Sequence, residues 1–501
     1  MKSHDITLVR ELEPYSQAEL LHIFGVEKKN WPELADRLER RHILRRRSVY
    51  KEIDELGNSE FSEHTRDEKE YSLSFVGVYV WKNILVYSLP KYARQIFGDN
   101  NFLTLSSVRE NKDAFVQLGS IMRVLRRYNK TRVQESLNAA TQENRDDFLA
   151  LLVHIVTDYA RYGLYRDDMN EEALNGRGRI LWQKSIQTKR PVMQDGRPCY
   201  IDLVVRHTLE DRDNFFTRLH LYIVDRCQQV LTRTGLTDLL AIPKIAEEAM
   251  PPYDMGDGRL LIRKIEGELK EQFDSRRRYI LQLMLKYIRC ESANDVRHSD
   301  ELVFGNSSFH CVWEEACREV LGKDGRRLLE IAPPTWEGAN MTGWHQWAAS
   351  QKSLEPDIII KRDNAYWLFD AKYYLPIIKG TNISRLPGVG DITKQFLYQQ
   401  ALKEQSEQGR DIYNAFLMPL PDTETTEYHT ISLFARVSMP LFKKLGFIYT
   451  YRIRPDSLYE AYLNPGKRQI LQNEMDQRLS MNDDLSRLVD FASVTTGREV
   501  L

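Results

Sequence analysis

The residues with the clearest chemistry in this sequence are two aspartates and a lysine between positions 357 and 372. Asp357 follows a proline, and a single alanine separates Asp370 from Lys372. Carboxylate oxygens are the ligands that hard divalent cations prefer. Two carboxylates held close together repel each other unless a cation lies between them. If the fold brings the three side chains together, they predict a divalent metal site with a lysine within reach of the substrate.

The chain between these residues predicts a β-hairpin that would bring them together. Two runs of β-favouring apolar residues flank Asp363-Asn364, a dipeptide suited to a tight turn. With this dipeptide as the loop, counting outward places Asp357 opposite Asp370, with Cβ atoms roughly 5 Å apart. Lys372 then shares the face of Asp370. The opposite face carries apolar residues suited to a core: Ile358, Ile360, Trp367 and Phe369. The alternative is an exposed hairpin whose charges form salt bridges.

The pattern of Pro356-Asp357 followed by Asp370-x-Lys372 resembles the signature of the PD-(D/E)XK nucleases. The predicted metal ligands are Asp357, Asp370 and the carbonyl of Ala371. Such hard oxygen ligands suit Mg²⁺, with Mn²⁺ as the alternative. The metal would lower the pKa of a bound water, and Lys372 would position that water or help to deprotonate it.

A helix before the hairpin is predicted to complete the site. Its apolar stripe consists of Phe309, Val312, Trp313, Ala316 and Val320. Nucleases of the PD-(D/E)XK type usually begin with a helix whose acidic residue completes the metal site. Glu314 is expected in this catalytic and metal-binding role. Glu315 is a competitor, and an ordinary surface glutamate is the alternative interpretation.

A second helix is predicted after the hairpin. The loop 386–391 would cap a helix that runs from Ile392 to about Glu404. Lys394, Gln395 and Tyr398 would lie in its first two turns, where polar groups can orient the attacking water or hold the scissile phosphate. Gln395 is the candidate catalytic residue among them, and ordinary helix-surface polarity is the alternative. Buried strands are predicted at 411–419 and 445–453. Helix, hairpin, helix and strand is the order of a mixed-sheet nuclease core.

Several runs of residues resemble the LlaJI-type restriction endonucleases, which in turn resemble the McrC nuclease subunit of McrBC-like systems. In the C-terminal half they are Phe309-His-Cys-Val-Trp-Glu314, Pro356-Asp357, Phe369-Asp-Ala-Lys-Tyr-Tyr374, Pro387-Gly-Val-Gly-Asp391 and Lys394-Gln-Phe-Leu-Tyr398. In the N-terminal half they are Phe75-Val-Gly77, Leu89-Pro-Lys-Tyr92 and Gly178-Arg-Ile-Leu-Trp182.

This resemblance implies a Mg²⁺-dependent DNA endonuclease subunit of a restriction (anti-phage) system. Such a subunit would cleave double-stranded DNA together with a separate McrB-like AAA+ NTPase. The resemblance also allows the chain to form oligomers. The chain has no Gly-x-x-x-x-Gly-Lys-Ser/Thr loop, which fits that division of labour. One alternative is a non-catalytic DNA-binding or regulatory protein. Another is a PD-(D/E)XK nuclease that acts on RNA or branched DNA.

The N-terminal segment predicts a winged-helix-like region. Ser16-Gln-Ala-Glu19 is a capping box, and Pro32 stands at an early position of a second short helix. Two short capped helices suggest a helix-turn-helix. A basic cluster would then face phosphate: Arg40, Arg41, Arg45, Arg46 and Arg47. The alternative is a small helical subdomain that contacts protein.

Length and composition indicate an α/β multidomain protein. The 501 residues are too many for one core. The predicted regions are a winged-helix-like and β-hairpin region (1–100), a mainly helical middle domain (101–255), a long connecting helix (256–295), a PD-(D/E)XK nuclease core with a mixed sheet flanked by helices (296–465) and a tail (466–501). Within them the patterns predict a hairpin around Lys82-Asn83 and helices at 115–125, 148–162, 215–231 and 259–288.

Charge and cysteine usage restrict the function classes. The net charge is −1, so any nucleic-acid-binding surface must be local. The five cysteines form no CxxC pair and are expected to be reduced thiols. No apolar run reaches the roughly 18–20 residues that span a bilayer, and the N-terminus is too polar for a signal peptide. A cytoplasmic protein without membrane contact is expected.

Overall fold

A computed structural model gives the fold of most of the chain. The described residues are 6–46, 52–53, 59–60, 70–81, 84–105, 112–138, 148–166, 168–210, 214–233, 235–243, 256–293, 301–322, 329, 331, 336–340, 343–347, 355–362, 365–379, 382–406, 410–423 and 429–480. The chain divides into two compact units. The first combines Met1–Tyr128 with Gly305–Leu501, and the second is Asn129–Phe304.

The N-terminal part of the first unit is a small mixed α/β region. Its elements are β1 (Ile6–Arg10), β2 (Pro14–Tyr15), α1 (Gln17–Ile23), α2 (Trp31–Arg40), β3 (Leu44–Arg46), β4 (Glu52–Ile53), β5 (Ser59–Glu60), β6 (Tyr71–Leu73), β7 (Val76–Trp81), β8 (Ile84–Leu89), β9 (Leu103–Leu105) and α3 (Lys112–Asn138). Strands β7, β8, β1 and β9 are neighbours in one sheet, and β2, β6 and β3 form another. The predicted hairpin is confirmed because Trp81 pairs with Ile84, although its turn lies outside the described residues.

The two predicted N-terminal helices are present. Ser16 and Glu19 form the reciprocal capping box of α1, and α2 has a proline in its first turn. Of the basic cluster, Arg45 and Arg46 lie in β3, paired with β6. On α2, Asp36 pairs with Arg40 at 2.7 Å, and Glu39 pairs with Arg46 at 2.7 Å. These ion pairs offset part of the positive charge that was expected to face phosphate. Arg47 lies outside the described residues.

The second unit combines helices with two small sheets. Its elements are α4 (Phe148–Tyr162), β10 (Asp168–Leu174), β11 (Arg179–Ile180), α5 (Trp182–Thr188), β12 (Val192–Gln194), β13 (Arg197–Cys199), β14 (Val204–Glu210), α6 (Phe215–Arg233), α7 (Leu236–Leu239), α8 (Gly258–Glu271) and α9 (Ser275–Ala293). Strand β14 lies between β10 and β11, and β12 pairs with β13. Helix α4 packs against α6 and α9.

The single helix predicted over 259–288 is wrong, because the structure has two helices there. Gln272 adopts extended backbone angles and ends α8. The Asp274 carboxylate then accepts a hydrogen bond from the backbone N–H of Arg277 at 2.8 Å. An aspartate in this position satisfies a free N–H group in the first turn of a new helix. Apolar residues occur at helical spacing on both sides of the break, which is why periodicity alone did not reveal it.

The C-terminal part of the first unit contains a second, larger α/β region. Its elements are β15 (Glu301–Asn306), α10 (Phe309–Leu321), β16 (Trp336–Asn340), β17 (Gly343–Trp347), β18 (Ile358–Lys361), β19 (Ala365–Ala371), β20 (Ile377–Lys379), β21 (Asn382–Ser384), α11 (Val389–Gln405), β22 (Asp411–Pro419), β23 (Ile431–Val437), β24 (Ile448–Ile453) and α12 (Pro455–Leu463). Helical structure also covers 468–480. Strand β15 adds to the N-terminal sheet next to β7.

The larger sheet is mixed and has the order β18-β19-β22-β24-β23. Strands β19, β22 and β24 run parallel, and the two edge strands run antiparallel to their neighbours. Helix α11 connects β19 to β22 and covers one face. Its Phe396 packs with Phe416, Met418 and Ile448, while its Tyr398 and Leu402 pack with Ile359, Tyr366 and Leu368. The predicted order of helix, hairpin, helix and strand is therefore present in a mixed α/β unit.

A buried polar contact links the two regions of the first unit. Glu11 follows β1, and its carboxylate accepts a hydrogen bond from the Tyr373 hydroxyl at 2.8 Å. Burial raises the pKa of Glu11, which the Lys91 ammonium and the Tyr373 hydrogen bond partly counteract. The Lys91 ammonium also lies 4.5 Å from the centre of the Tyr373 ring. The residue directly after Lys372 is thus anchored to the N-terminal sheet.

Two further sequence predictions concern membrane-spanning segments and the boundaries of the predicted regions. In the described part of the chain, no helix combines the length and apolar composition needed to cross a lipid bilayer. The boundaries of the five predicted regions stay predictions.

Replacing Gly305 with alanine is expected to destabilise the first unit by about 1–3 kcal/mol, because an added Cβ overpacks a filled site. That Cβ would lie 2.3 Å from the Val76 carbonyl oxygen and 2.5 Å from the Phe75 ring. Gly390→Ala is the matched control. No atom lies within 4 Å of its added Cβ, and it should be neutral or stabilising by up to about 1 kcal/mol. Denaturant unfolding followed by tryptophan fluorescence measures both, and equal midpoints would contradict the expectation.

Candidate functional site

The hairpin of β18 and β19 has the register that the sequence predicts. Ile358 pairs with Phe369, and the ladder continues to Lys361. Extending it by one residue places Asp357 opposite Asp370. The Asp357 carboxylate accepts a hydrogen bond from the backbone N–H of Ala371 at 3.1 Å, so it points to the end of β19. The turn residues Asp363 and Asn364 lie outside the described part of the chain.

Lys372 joins two aspartates at the end of β19. Its Nζ lies 3.1 Å from Oδ2 of Asp370 and 3.1 Å from Oδ1 of Asp391. The side chains are largely buried, with exposed fractions of 13% for Lys372 and 15% and 5% for the two aspartates. The backbone N–H of Lys372 donates to the Leu417 carbonyl at 2.8 Å, which extends the parallel pairing with β22 beyond the strand. The Lys372 ammonium is therefore positioned by its two ion pairs, and its backbone is fixed by the pairing with β22.

Asp391 was not predicted as a site residue. Helix α11 begins at Val389, three residues before the predicted start, so Asp391 lies in its first turn rather than in the preceding loop. A negative charge is favourable there because the N-terminal N–H groups of a helix carry partial positive charge. The sequence signal was an aspartate after a Gly-x-Gly turn. That signal predicts a helix start but does not identify Lys372 as the partner.

Burial and mutual repulsion perturb the acidic groups of the site. Burial raises the pKa of Glu314 to about 8, and the negative charges of Asp357 and Asp370 add to the increase. Burial, followed by the charge of Asp357, raises the pKa of Asp370 to about 7, although Lys372 opposes both effects. Glu314 thus lies in the electrostatic field of both aspartates. Glu315 instead pairs with Arg318 at 3.0 Å, which makes Glu314 the better candidate of the two.

The pKa of Lys372 is also raised, but by its charged neighbours rather than by burial. Burial alone would lower the pKa of Lys372, but the charges of Asp370 and Asp391 outweigh burial and raise it. Lys372 therefore carries a proton in the metal-free protein. In this state it can neutralise negative charge or position a water, and it must transfer its proton before it can act as a base.

The polar residues of α11 connect the helix to the hairpin of β18 and β19. Gln395 is 1% exposed and donates from Nε2 to the Leu368 carbonyl at 3.1 Å. Its Oε1 has no hydrogen-bond partner among the described residues. The Tyr398 hydroxyl donates to the Glu355 carbonyl at 2.9 Å, just before Asp357. Lys394 is exposed. These contacts show that the Gln395 side chain binds the backbone of β19. Its catalytic role stays a prediction.

Arg318 is a second residue that sequence reasoning missed. Its Nε donates to the backbone carbonyl of Asp357 at 3.2 Å. It lies one turn after Glu314 on α10, so it ties that helix to the first aspartate. Its positive charge also counteracts the raised pKa of Glu314. Only the tertiary packing of α10 against the hairpin gives it this role.

The oxygen donors suit a hard divalent cation that is held by a few carboxylates and is not fully enclosed by protein ligands. Within the described ranges, no three Asp, Glu, His or Cys side chains are arranged to enclose an ion. Asp370 Oδ2 is buried and has no hydrogen bond, although it forms the ion pair with Lys372. Mg²⁺ usually binds through one or two carboxylates and keeps several waters or substrate oxygens. The donor set of Asp357 and Asp370, with Glu314 nearby, is of that type.

Two comparisons with solved structures give loose similarity. The chain is 13% identical to a chain in an assembly of Thermococcus gammatolerans McrB AAA+ hexamers with bound McrC. That alignment covers 92% of this chain and 99% of the other, with a TM-score of 0.39. A second match, to the McrBC complex of the same organism, is 13% identical and covers 58% of this chain and 87% of the other, with a TM-score of 0.23.

Sequence comparison is more informative. The chain is 25% identical over 401 residues to the Type II restriction enzyme BsuMI component YdjA of Bacillus subtilis (strain 168). This alignment covers 78% of this chain and 80% of the relative. The model of the LlaJI restriction endonuclease family matches residues 75–444, which include β18, β19 and α11. With most of its length matched, the chain belongs to the LlaJI restriction endonuclease family.

Proposed function

We propose that this chain is the Mg²⁺-dependent, DNA-cleaving subunit of a restriction system. The observation that carries the proposal is the convergence of Asp357, Asp370 and Lys372 at the end of β19. A hydrolytic phosphodiester site needs groups that hold a cation and a group that neutralises charge on the phosphate. These three residues provide both, and membership of a restriction endonuclease family supports double-stranded DNA as the substrate.

In this proposal Asp357 and Asp370 hold the cation with the carbonyl of Ala371, and Glu314 completes the site. When bound, Mg²⁺ or Mn²⁺ would polarise the scissile phosphate and favour ionisation of a water. Lys372, held by Asp370 and Asp391, places its ammonium against the developing negative charge. Tyr398 and Gln395 keep α11 against the hairpin and so maintain the positions of these groups.

We also propose that cleavage requires a separate McrB-like AAA+ NTPase. The sequence lacks the phosphate-binding loop of P-loop NTPases, so it would not hydrolyse nucleotide by that mechanism. The Bacillus subtilis relative is named a component of a restriction enzyme, which fits a chain that works with others. Oligomer formation with such a partner is part of the same proposal.

Asp370→Ala and Lys372→Ala are each expected to abolish DNA cleavage while the protein remains folded. The first removes a cation ligand, and the second removes the charge that faces the phosphate. The assay incubates the full chain with duplex DNA, Mg²⁺ or Mn²⁺, and any McrB-like NTPase encoded beside it together with its nucleotide. Lys403→Ala, on the exposed end of α11, is the matched control and should cleave like the wild type.

Parallel reactions with branched DNA and with RNA separate the alternative substrates. Undiminished cleavage by either active-site variant would remove the assignment of these residues. Binding of duplex DNA without strand scission under every condition would instead favour a non-catalytic, regulatory protein.

Asp370→Asn should change how stability depends on pH in the metal-free protein. An acid whose pKa is raised on folding keeps its proton to higher pH in the folded state than in the unfolded state. Stability therefore falls as pH rises from the usual carboxyl range near 4 through about 7 for Asp370 and about 8 for Glu314. The asparagine variant loses one of these contributions, so its melting temperature should fall less between pH 5 and 8.

Thermal melts in EDTA measure this difference, and millimolar Mg²⁺ should raise the wild-type melting temperature at pH 8 but not that of the variant. Asp456→Asn, at an aspartate whose side chain is 65% exposed, is the control and should behave like the wild type. Identical pH profiles for the wild type and Asp370→Asn would show that Asp370 does not hold a proton in the folded protein.

Asp391→Asn should slow cleavage by about ten- to a hundredfold, the cost of a misplaced catalytic group. The change removes one of the two anions that hold the Lys372 ammonium. It leaves the proposed ligands in place, so Mn²⁺ binding measured by calorimetry should keep its stoichiometry. Single-turnover cleavage of duplex DNA measures the rate. A wild-type rate, or loss of Mn²⁺ binding, would argue against a role confined to positioning the lysine.

A further inference from the structure

A small hairpin projects from the candidate site. The chain leaves the site after Lys372, forms strands β20 and β21, and returns to the site at Asp391 in the first turn of α11. Lys372 Nζ and Asp391 Oδ1 are 3.1 Å apart, so this ion pair closes the two ends of the segment. The hairpin thus lies between Lys372, the candidate catalytic lysine, and Asp391, which positions that lysine.

The length of the connection limits how far the hairpin can lie from the site. Ile377, the first residue of β20, is five residues after Lys372. An extended chain covers at most about 3.6 Å per residue, so their Cα atoms are at most about 18 Å apart. A duplex whose phosphate lies at Lys372 would therefore be within reach of β20 and β21.

The hairpin presents an apolar pair to solvent. Ile378 pairs directly with Ile383 across the two strands, so both side chains lie on the same face. They are 64% and 41% exposed, respectively. Val389, two residues before Asp391, is 68% exposed. An isolated two-stranded hairpin is only marginally stable in water, and an exposed β-branched pair on it adds no burial within this chain. Such a pair is suited to contact with a partner.

The charge of the segment favours a polyanion as that partner. Residues 373–390 contain no aspartate or glutamate, whereas they contain Lys379 and Arg385. Two isoleucine side chains offer too little apolar area for a stable protein interface, which usually buries more than about 1,000 Å². They match the small apolar wedges, isoleucine among them, that proteins insert between base steps from the minor groove.

We infer that the hairpin of β20 and β21 is a DNA-contacting element that inserts Ile378 and Ile383 into the minor groove beside the phosphate held at the candidate site. The inference rests on the proposed nuclease function and adds a groove contact to it. The wedge contributes binding energy without reading a unique base sequence, because the minor groove distinguishes little more than A·T from G·C pairs.

The test compares duplex binding by the full chain and by the double variant I378S/I383S. A fluorescein-labelled, mixed-sequence duplex is titrated in Ca²⁺ and followed by anisotropy. The double variant should bind about tenfold more weakly, which corresponds to about 1.4 kcal/mol. Ile470→Ser is the matched control, because Ile470 is 67% exposed on another part of the chain, and it should bind like the wild type. I378V/I383V keeps the apolar shape and should restore binding.

Mn²⁺ calorimetry and thermal melts of the same variants show whether the site and the fold are intact. Both should be unchanged in I378S/I383S, since neither isoleucine is buried. A photoreactive benzoylphenylalanine at position 378 should crosslink to a nucleotide next to the cleaved bond. The same group at position 470 should not crosslink there.

The outcomes separate this inference from the nuclease proposal. If I378S/I383S binds DNA like the wild type while the wild type cleaves, the hairpin does not contact DNA and the nuclease proposal stands. If the variant instead loses self-association in sedimentation with unchanged DNA affinity, the apolar pair is an interface between copies, and the inference is wrong. If the wild type with its NTPase partner neither binds nor cleaves duplex DNA, both proposals fall.

Discussion

The candidate site contains more carboxylates than positively charged groups, and its arrangement depends on this excess of negative charge. Three carboxylates, those of Asp357, Asp370 and Glu314, share a largely buried region in which their charges repel. Lys372 offsets part of this repulsion and is itself held by a fourth carboxylate, that of Asp391. Arg318 also offsets part of it, and the metal-free protein relieves the rest by keeping protons on its acids. A divalent cation bound between the aspartates would relieve the same repulsion, which is the physical basis of the proposed metal site.

The mixed sheet gives these charges their positions. The antiparallel pairing of β18 with β19 sets Asp357 against Asp370, and the parallel pairing with β22 holds the backbone of Lys372. Helix α11 then covers the sheet and delivers Asp391 from its first turn. Each of these contacts comes from main-chain pairing or helix packing, so the charged groups do not have to determine their own geometry.

Local sequence patterns predicted the hairpin because strand alternation and a two-residue turn together determine register. They also predicted helices α4 and α10, whose apolar stripes are continuous. They did not reveal the break before α9, since apolar residues occur at helical spacing on both sides of the aspartate that begins the new helix. Asp391 and Arg318 were missed for a different reason. Their partners lie 19 and 39 residues away, respectively, and no short-range pattern encodes such a pairing.

The hydrogen bond between Glu11 and Tyr373 has a consequence for dissecting this protein. It joins the first strand of the chain to the residue that follows the candidate catalytic lysine, across more than 360 positions. A truncated fragment that began at the nuclease-like sheet would leave the Tyr373 phenol without its acceptor. It would also lack Tyr92 and so expose the Tyr373 and Tyr459 rings that Tyr92 contacts. The N-terminal segment is therefore packed together with the candidate site, and experiments that exchange domains between proteins should transfer both segments together.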